Sequence, residues 1–473
     1  MNTLKAERRR VPWMILLCGA LLVASSATVQ AEIDDGFTAG APGEGAAVAV
    51  WGETLVVGVP LKETLLPPLA NAGSVRIYKR DAESGQGWVF QQELYSPTPG
   101  SNHNFGNSVA LQGNFLAVGE PGFNNNQGRV SIFVSSGGYF LYQGEYVGGA
   151  ASRAGSSLAL ARHNTDTPYI VLAGAPFAGA PPSTYGGVYA SAWDVVSETA
   201  TSVGTKFIDA ADLAPINDTP SQLFGNSVAI VPEKCIPEST CLNSFIVAIG
   251  APAHASSAGY VSVLGLYAVP ELDQWNFSFQ KHALDPTPQA GEFFGASVAL
   301  DAGDGVSRSP KLAVGAPYAN NPVSVTTGAV DVFQRPLDGL QWDDGTPLYG
   351  PAGQTTDSAF GLKLHLGGEE IWVGAPYYDV PAQFGSVVNA GAVFRFEHAA
   401  NGNWEPTHQL HRESPANNDY LGMSIACHAG RLVAGVPGAP DAPGADGFNT
   451  WINAYVSSEF IFSNGFETLV CGG

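Results

Sequence analysis

The chain has few charged residues, and basic residues are the scarcer kind. Only 13% of its 473 residues are charged, and 21 Lys and Arg stand against 42 Asp and Glu, for a formal net charge of −21. An acidic surface repels phosphate backbones, which argues against nucleic acid as a partner. Hydrophobic residues make up 45% of the chain beside 57 Gly and 33 Pro, a composition typical of turn-rich β structure rather than disorder.

Patterns typical of helices and of catalytic sites are also missing. No stretch after the N-terminal segment holds a 3.6-residue period with capping residues, and there is no nucleophile elbow, zinc-protease motif or phosphate loop. His408 and His411 are three residues apart in a predicted strand, so they point to opposite faces. Adjacent acidic pairs point apart in the same way and are interpreted as solvated turns: Asp34-Asp35, Asp343-Asp344 and Glu369-Glu370. We therefore predict no catalytic and no cofactor-binding residue.

The N-terminus has the pattern of a secretory signal peptide. Three arginines, Arg8 to Arg10, precede an apolar run from Val11 to Val23, and small residues before Ala31 suit cleavage there. The apolar run is too short for a comfortable membrane span. We predict a signal peptide over 1–31, no stable membrane span in the mature chain, and a secreted, cell-surface or periplasmic location.

Four of the five cysteines lie beyond this segment. Cys235 and Cys241 flank a five-residue loop and are expected to form a disulfide in an oxidising compartment, which leaves Cys427 to pair with Cys471. A metal or redox role for Cys235 and Cys241 is the alternative, but it lacks a Cys-x-x-Cys spacing or a nearby His.

Seven copies of one pattern fill the rest of the chain. Each copy opens on a Gly, often after Phe, and continues through a short apolar run to Gly-Ala-Pro or a close variant. The opening glycines are Gly45, Gly106, Gly155, Gly225, Gly295, Gly361 and Gly422. The second glycines are Gly58, Gly119, Gly174, Gly250, Gly315, Gly374 and Gly435, each followed two residues later by Pro. A tandem repeat of this length predicts units that bury their faces only against one another.

Each copy predicts a four-stranded antiparallel sheet. The first strand is short and apolar, the second is continuously apolar, the third alternates with period two, and the fourth often carries a Trp. Seven such sheets around an axis predict an all-β fold, a seven-bladed β-propeller of four-stranded antiparallel blades, over residues 32–457. Residues 458–473 form a predicted tail.

The paired Phe-Gly and Gly-Ala-Pro landmarks resemble the FG-GAP repeat of the integrin α-chain propeller and its bacterial secreted relatives. The resemblance covers about residues 42 to 456, although Phe is replaced before Gly45, Gly155 and Gly422. It implies calcium bound by Asp-rich turns between the first and second strands. Only the turn with Asp301 and Asp304 keeps two carboxylates here, and its spacing departs from the family's, so we interpret it as a polar turn and keep a calcium site as the alternative.

The tail contains Ile461-Phe462-Ser463-Asn464-Gly465-Phe466-Glu467, which is similar to a motif near the C-terminus of many secreted bacterial proteins. It predicts an export or sorting tag, the outer strand of the last blade, or both.

The loops after the second strands vary most, and loops on a rigid scaffold commonly carry recognition. Their aromatic and amide residues are the predicted ligand-face candidates: Phe123, Asn124, Phe177, Tyr185, Tyr318, Tyr377 and Tyr378. The main hypothesis is a secreted, non-catalytic propeller that binds an extracellular protein or glycan through this face. The alternatives are a glycan- or phosphoester-active hydrolase or lyase with carboxylates near the axis, and a structural surface component.

Overall fold

The computed structural model describes residues 43–456, except 66, 82–86, 180–184, 210–221, 236–240, 242, 270–273, 323–325, 338, 340, 351–356, 383–384, 413–414 and 439–450. The predicted signal peptide and the predicted C-terminal tail therefore lie outside the described residues.

Six copies of the repeat each form a four-stranded antiparallel sheet, here called a blade. Blade 1 contains β1 (Ala47–Trp51), β2 (Thr54–Val59), a small hairpin of β3 (Thr64–Leu65) and β4 (Pro68–Leu69), then β5 (Ser74–Asp81) and β6 (Gly87–Leu94). Blade 2 contains β7 (Ser108–Gln112), β8 (Phe115–Glu120), the short turn α1 (Phe123–Asn126), β9 (Arg129–Ser136) and β10 (Tyr139–Val147). Blade 3 contains β11 (Ser157–Ala161), β12 (Tyr169–Ala175), β13 (Gly187–Val196) and β14 (Thr199–Asp209).

The next three blades repeat the same order of strands. Blade 4 contains β15 (Ser227–Pro232), β16 (Ser244–Gly250), the short turn α2 (His254–Ser257), β17 (Val261–Val269) and β18 (Gln274–Ala283). Blade 5 contains β19 (Ser297–Asp301), β20 (Lys311–Ala316), β21 (Ala329–Gln334) and β22 (Thr346–Tyr349). Blade 6 contains β23 (Lys363–Gly367), β24 (Glu370–Ala375), the hairpin β25 (Val380–Ala382) and β26 (Gly385–Val387), then β27 (Ala392–His398) and β28 (Trp404–Leu410).

The seventh copy forms a three-stranded sheet, here called the closing sheet. It contains β29 (Ile425–His428), β30 (Arg431–Val436) and β31 (Trp451–Val456). The all-β propeller with four-stranded antiparallel blades is thus confirmed, but the predicted count of seven such blades is wrong for the described structure, which has six. The seventh copy supplies only three strands before the described residues end at Val456.

The first strands line the axis of the ring. In chain order β1, β7, β11, β15, β19, β23 and β29 each contact the next, and β29 contacts β1. They surround an axial channel of about 360 Å³. The closing sheet therefore completes the circle between blade 6 and blade 1.

The second strands are the most deeply buried elements. Every residue of β2, β8, β12 and β20 is buried, because each strand is flanked within its own sheet and covered by the neighbouring sheets. The third strands are also largely buried on both faces, including polar residues such as Ser131 in β9 and Asp331 in β21. The fourth strands form the exposed rim and carry Trp88, Trp275 and Trp404 as predicted, whereas Trp342 precedes β22.

Contacts between neighbouring copies explain both glycines of the repeat. The opening glycines all have left-handed φ angles, between 81° and 94°, and each N–H donates to the carbonyl of the second glycine in its own copy at 3.0–3.1 Å. A Cβ on any second glycine would lie within 2.2 Å of the carbonyl oxygen of the next opening glycine. The repeat therefore keeps glycine where adjacent sheets meet backbone to backbone.

A serine hydroxyl joins most neighbouring first strands. Five serines donate from Oγ to the carbonyl oxygen of the next opening glycine at 2.6–2.9 Å: Ser108, Ser157, Ser227, Ser297 and Ser424. The last of these bonds runs from Ser424 to Gly45 at 2.7 Å and links the closing sheet to blade 1. Ala47 and Lys363 occupy the equivalent positions in blades 1 and 6.

The phenylalanine of the repeat is a core residue. Phe105, Phe224, Phe294 and Phe360 are fully buried, and each forms an isolated parallel bridge with the Gly that precedes the third strand of the blade before it. Where Phe is replaced, Glu44, Ala154 and Leu421 are buried instead. Glu44 is paired with Arg76 at 2.6 Å, and burial raises the pKa of this carboxyl to about 7.

The predicted disulfide between Cys235 and Cys241 is confirmed; it bridges the connection between β15 and β16. The pairing of Cys427 with Cys471 stays a prediction, because Cys471 lies outside the described residues. In the part of the chain that the structure describes, no helix has the length and apolar character needed to cross a bilayer.

Candidate functional site

The loops after the second strands share one end of the ring with the links between blades. A backbone hydrogen bond joins these two segments. The donor is the N–H of the residue that follows the repeat's Pro, and the acceptor is the carbonyl of the residue that lies three positions before an opening glycine. Phe177 donates to Ser152, Tyr318 to Glu292 and Tyr377 to Ser358, at 3.2–3.3 Å. Two variable segments of each copy therefore meet on one face, and the backbone of the repeat fixes their spacing.

Four half-buried aromatic side chains follow one another across this face, and we call them the aromatic arc: Phe293, Tyr318, Tyr377 and Tyr420. The rings of Phe293 and Tyr318 lie 5.5 Å apart edge to face, and those of Tyr377 and Tyr420 lie 5.6 Å apart. Burial raises the pKa of the Tyr318 phenol, and the neighbouring Tyr377 and Asp357 add to this shift. The arc therefore runs along the links of blades 5 and 6 to the closing sheet.

Amide side chains lie beside the arc. Asn389 donates from Nδ2 to Oδ1 of Asn418 at 3.0 Å, and the hydroxyl of Tyr420 donates to the same oxygen at 3.2 Å. Asn418 is exposed, as is its neighbour Asn417. The face thus combines aromatic edges with oriented amide donors and acceptors.

The structure separates the predicted ligand-face candidates into three environments. Tyr318 and Tyr377 belong to the arc. Tyr378 is only 5% exposed and packs on Phe394 in the core of blade 6, and Tyr185 packs on the core between blades 3 and 4. These two tyrosines support the fold from beneath the loop face.

The other three candidates lie elsewhere on the ring. The Phe123 ring lies under the Arg129 guanidinium at 3.9 Å, Asn124 is exposed, and Phe177 is 40% exposed with the Arg153 guanidinium 4.9 Å from its ring. They form no group with the arc.

Sequence reasoning missed two members of the arc, Phe293 and Tyr420. Each lies two residues before an opening glycine and has a left-handed backbone with φ of 58°. The same position is left-handed in all seven copies, so counting back from the opening glycine is the signal that finds it.

The turn expected to be the best calcium candidate does not fit that ion. One oxygen of Asp304 accepts the backbone N–H groups of Val306, Ser307 and Arg308, and these bonds lower the pKa of its carboxyl. Asp301 faces the Arg308 guanidinium at 3.8 Å. Both carboxylates are thus oriented toward donors of the protein. Among the described residues, no three His, Cys, Asp or Glu side chains are grouped to hold a metal.

The axial channel is lined by small and polar residues from every first strand. Lys363 is the one ionisable side chain among the described residues that line it. Desolvation by the surrounding channel wall lowers the pKa of the Lys363 amine, although water reaches it. Burial also lowers the pKa of His365, on the same strand, to about 4. The described lining therefore offers no pair of carboxylates for acid and base catalysis.

Comparison with protein families agrees with this architecture. Residues 88–133 match the model of the FG-GAP repeat. The match runs from the fourth strand of blade 1 to the third strand of blade 2, and it contains the opening glycine Gly106 and the second glycine Gly119. No curated protein shows significant similarity to the chain. The repeat match and the circular arrangement of antiparallel sheets together support an FG-GAP β-propeller.

Proposed function

We propose that this propeller is an exported, non-catalytic binding protein and that its ligand is a glycan held on the aromatic arc. The observation that carries the proposal is the run of aromatic rings beside oriented amide groups on the loop face. Aromatic side chains contribute apolar contact area at low entropic cost, and amides supply directional hydrogen bonds that fix a polar ligand.

Two observations support export. The N-terminal 31 residues have the charge and hydropathy pattern of a signal peptide, and the Cys235–Cys241 disulfide suits an oxidising compartment. The hydrolase alternative gains no support from the axial channel, where the described lining residues include no carboxylate.

The test is binding of the purified mature chain to a glycan array and, in parallel, to extracellular matrix proteins. Single Tyr318→Ala and Tyr377→Ala variants would each remove one ring of the arc, and we expect each to weaken glycan binding about tenfold, equivalent to about 1.4 kcal/mol. Tyr139→Ala is the matched control, because this tyrosine is 53% exposed on β10 at the rim.

Thermal unfolding of each variant would confirm that the ring remains folded. Glycan binding that is unchanged in both arc variants would contradict the proposed site. Capture of a matrix protein without any glycan, lost in the same two variants, would replace the glycan with a protein ligand.

A further inference from the structure

The contact between blades 4 and 5 buries three carboxyl groups, here called the acidic cluster: Asp285, Glu292 and Asp331. Glu292 is fully buried and Asp331 is 1% exposed. Among the described residues, no hydrogen-bond donor reaches either oxygen of Asp331. An unpaired buried carboxylate is strongly unfavourable, so these groups are neutralised either by a proton or by a positive partner.

The corresponding contact between blades 1 and 2 contains that positive partner. Arg129, at the start of β9, is 1% exposed and donates to Ser96 Oγ at 2.6 Å and to Thr98 Oγ1 at 2.8 Å. It also donates to Glu120 from two nitrogens, at 2.5 and 2.8 Å. The guanidinium fills the space between the end of one blade and the third strand of the next.

The two contacts correspond residue by residue. Ser96 and Thr98 lie ten and eight residues before Gly106, just as Asp285 and Thr287 lie ten and eight residues before Gly295. Arg129 pairs across its sheet with the last residue of β8, and Ala329 pairs with the last residue of β20.

The exchange of residues makes the contact between blades 4 and 5 more acidic. Alanine stands in blade 5 where blade 2 has arginine, aspartate replaces a serine in the preceding link, and Asp331 takes the position of Ser131. Ala316 also stands where blade 2 has Glu120, so the Arg129–Glu120 pair is lost as a whole while two aspartates are gained.

A cavity of about 60 Å³ lies at this contact. Its walls include five side chains with oxygen atoms beside the methyl group of Ala329: Asp285, Thr287, Gln289, Asn320 and Asp331. Gln289 Oε1 accepts one hydrogen bond from Asn320, and Asn320 Oδ1 accepts one from Thr326, so each amide oxygen keeps a second lone pair.

We propose that this cavity binds one calcium ion, which takes the place that the Arg129 guanidinium holds at the contact between blades 1 and 2. Oδ1 of Asp285 already accepts the N–H of Thr287 at 2.5 Å, so Oδ2 of Asp285 and the two oxygens of Asp331 supply the charged ligands. The neutral oxygens of Thr287, Gln289 and Asn320 complete the set. Calcium takes six to eight oxygen ligands in flexible geometry, and the cavity has room for the ion and about one water.

The proposed position differs from the one that the family resemblance implies. It lies between two blades rather than in the turn between a first and a second strand. Glu292 adjoins the site and adds a third negative charge, and the phenol of Tyr349 also lines the cavity.

The test is calcium titration of the mature chain after chelator treatment at pH 8, followed by calorimetry and thermal unfolding. We expect one ion per chain and a rise in the unfolding temperature. Asp331→Asn should weaken calcium binding at least about tenfold, because it removes one of two charged ligands. It should also unfold at a higher temperature than wild type when both lack calcium, because the carboxylate repulsion is relieved.

Two further variants sharpen the result. Asp344→Asn is the matched control, since this side chain is fully exposed in the same blade, and it should keep the whole calcium response. Ala329→Arg should supply the cation within the chain and abolish that response. Wild type without a calcium-dependent shift, or an equal shift in wild type and Asp331→Asn, would overturn the proposal.

Discussion

Replacement of Gly315 by alanine tests the close approach of neighbouring sheets directly. A Cβ at this position of β20 would lie 1.9 Å from the carbonyl oxygen of Gly361 and 2.4 Å from Oγ of Ser297. The first of these atoms belongs to the backbone of blade 6, so a side-chain rotation cannot relieve the contact. Blades 5 and 6 would have to separate at their first strands.

The size of the effect follows from two contributions. Overpacking of a tight interior site costs about 1–3 kcal/mol. The same displacement breaks the 2.6 Å hydrogen bond from Ser297 to Gly361, which is worth about 1 kcal/mol. We therefore expect Gly315→Ala to lower the free energy of unfolding by about 2–4 kcal/mol, a large part of a typical total of about 5–15 kcal/mol.

Urea unfolding followed by tryptophan fluorescence measures the loss. Gly339→Ala is the matched control, because the nearest atom to an added Cβ there is Pro336 Cβ at 3.9 Å, and its φ lies outside the left-handed region. The control should stay within about 0.5 kcal/mol of wild type. Equal stability of the two variants would refute the role given to the second glycine of the repeat.

Three further predictions concern single contacts. Ser297→Ala should lower the free energy of unfolding by about 1 kcal/mol, whereas Ala47→Ser should raise it by adding the hydroxyl that blade 1 lacks. Urea titrations in which Ser297→Ala is the more stable of the two variants would contradict the proposed role of these serine hydrogen bonds. Arg129→Met leaves the buried Glu120 with His103 as a remaining side-chain partner, and the same measurement should show a loss of about 3–5 kcal/mol. A loss of no more than about 1 kcal/mol would mean that the Arg129–Glu120 pair contributes only as much as a surface ion pair. Burial raises the pKa of Asp331 from 3.8 to about 7, so the folded chain holds this proton more tightly than the unfolded chain. In chelator, the free energy of unfolding should therefore fall as the pH rises from about 4 to 7, and Asp331→Asn should reduce that decline; equal pH slopes in variant and wild type would contradict it.

The repeat landmarks were sufficient to predict the architecture of the blades. The opening glycine needs a left-handed φ and the second glycine has no room for a Cβ, so both restrictions are visible in the sequence as invariant residues across the seven copies. The short disulfide was predictable for a similar local reason, since Cys235 and Cys241 lie on either side of one turn.

The number of complete blades was not predictable in the same way. The landmarks of the seventh copy are present at Gly422 and Gly435, and they do specify β29 and β30. A fourth strand carries no landmark of its own, because it forms the rim and contacts the neighbouring sheet least. The described residues end at Val456, and up to that point the closing sheet has three strands where the repeat predicts four.

The polar groups at the blade contacts required the three-dimensional register. Asp285 and Asp331 are separated by 46 positions in the sequence, and nothing local distinguishes either from a solvated residue. They meet because the end of blade 4 packs against the third strand of blade 5. Once the copies are aligned on the glycine that precedes the third strand, Gly128 and Gly328, the loss of Arg129 at Ala329 becomes readable in the sequence alone.

Half of the aromatic arc likewise could not be predicted without the three-dimensional structure. Tyr318 and Tyr377 follow the repeat's Pro and were found by inspection of the variable loops. Their partners Phe293 and Tyr420 lie on the opposite side of the link, two residues before an opening glycine, and become neighbours only through the backbone bonds that join the two segments.

The hydrogen bond from Ser424 to Gly45 joins residues that are 379 positions apart. During synthesis, blade 1 is therefore complete long before the strand that will cover its open side. Contacts between residues this far apart in sequence form slowly. Until they form, the side of blade 1 that the closing sheet will cover is exposed and can associate with other chains. A chain that ends before the closing sheet would lack the contact that joins this sheet to blade 1. Loss of a few dozen C-terminal residues should therefore expose blade 1 and reduce the solubility of the whole chain.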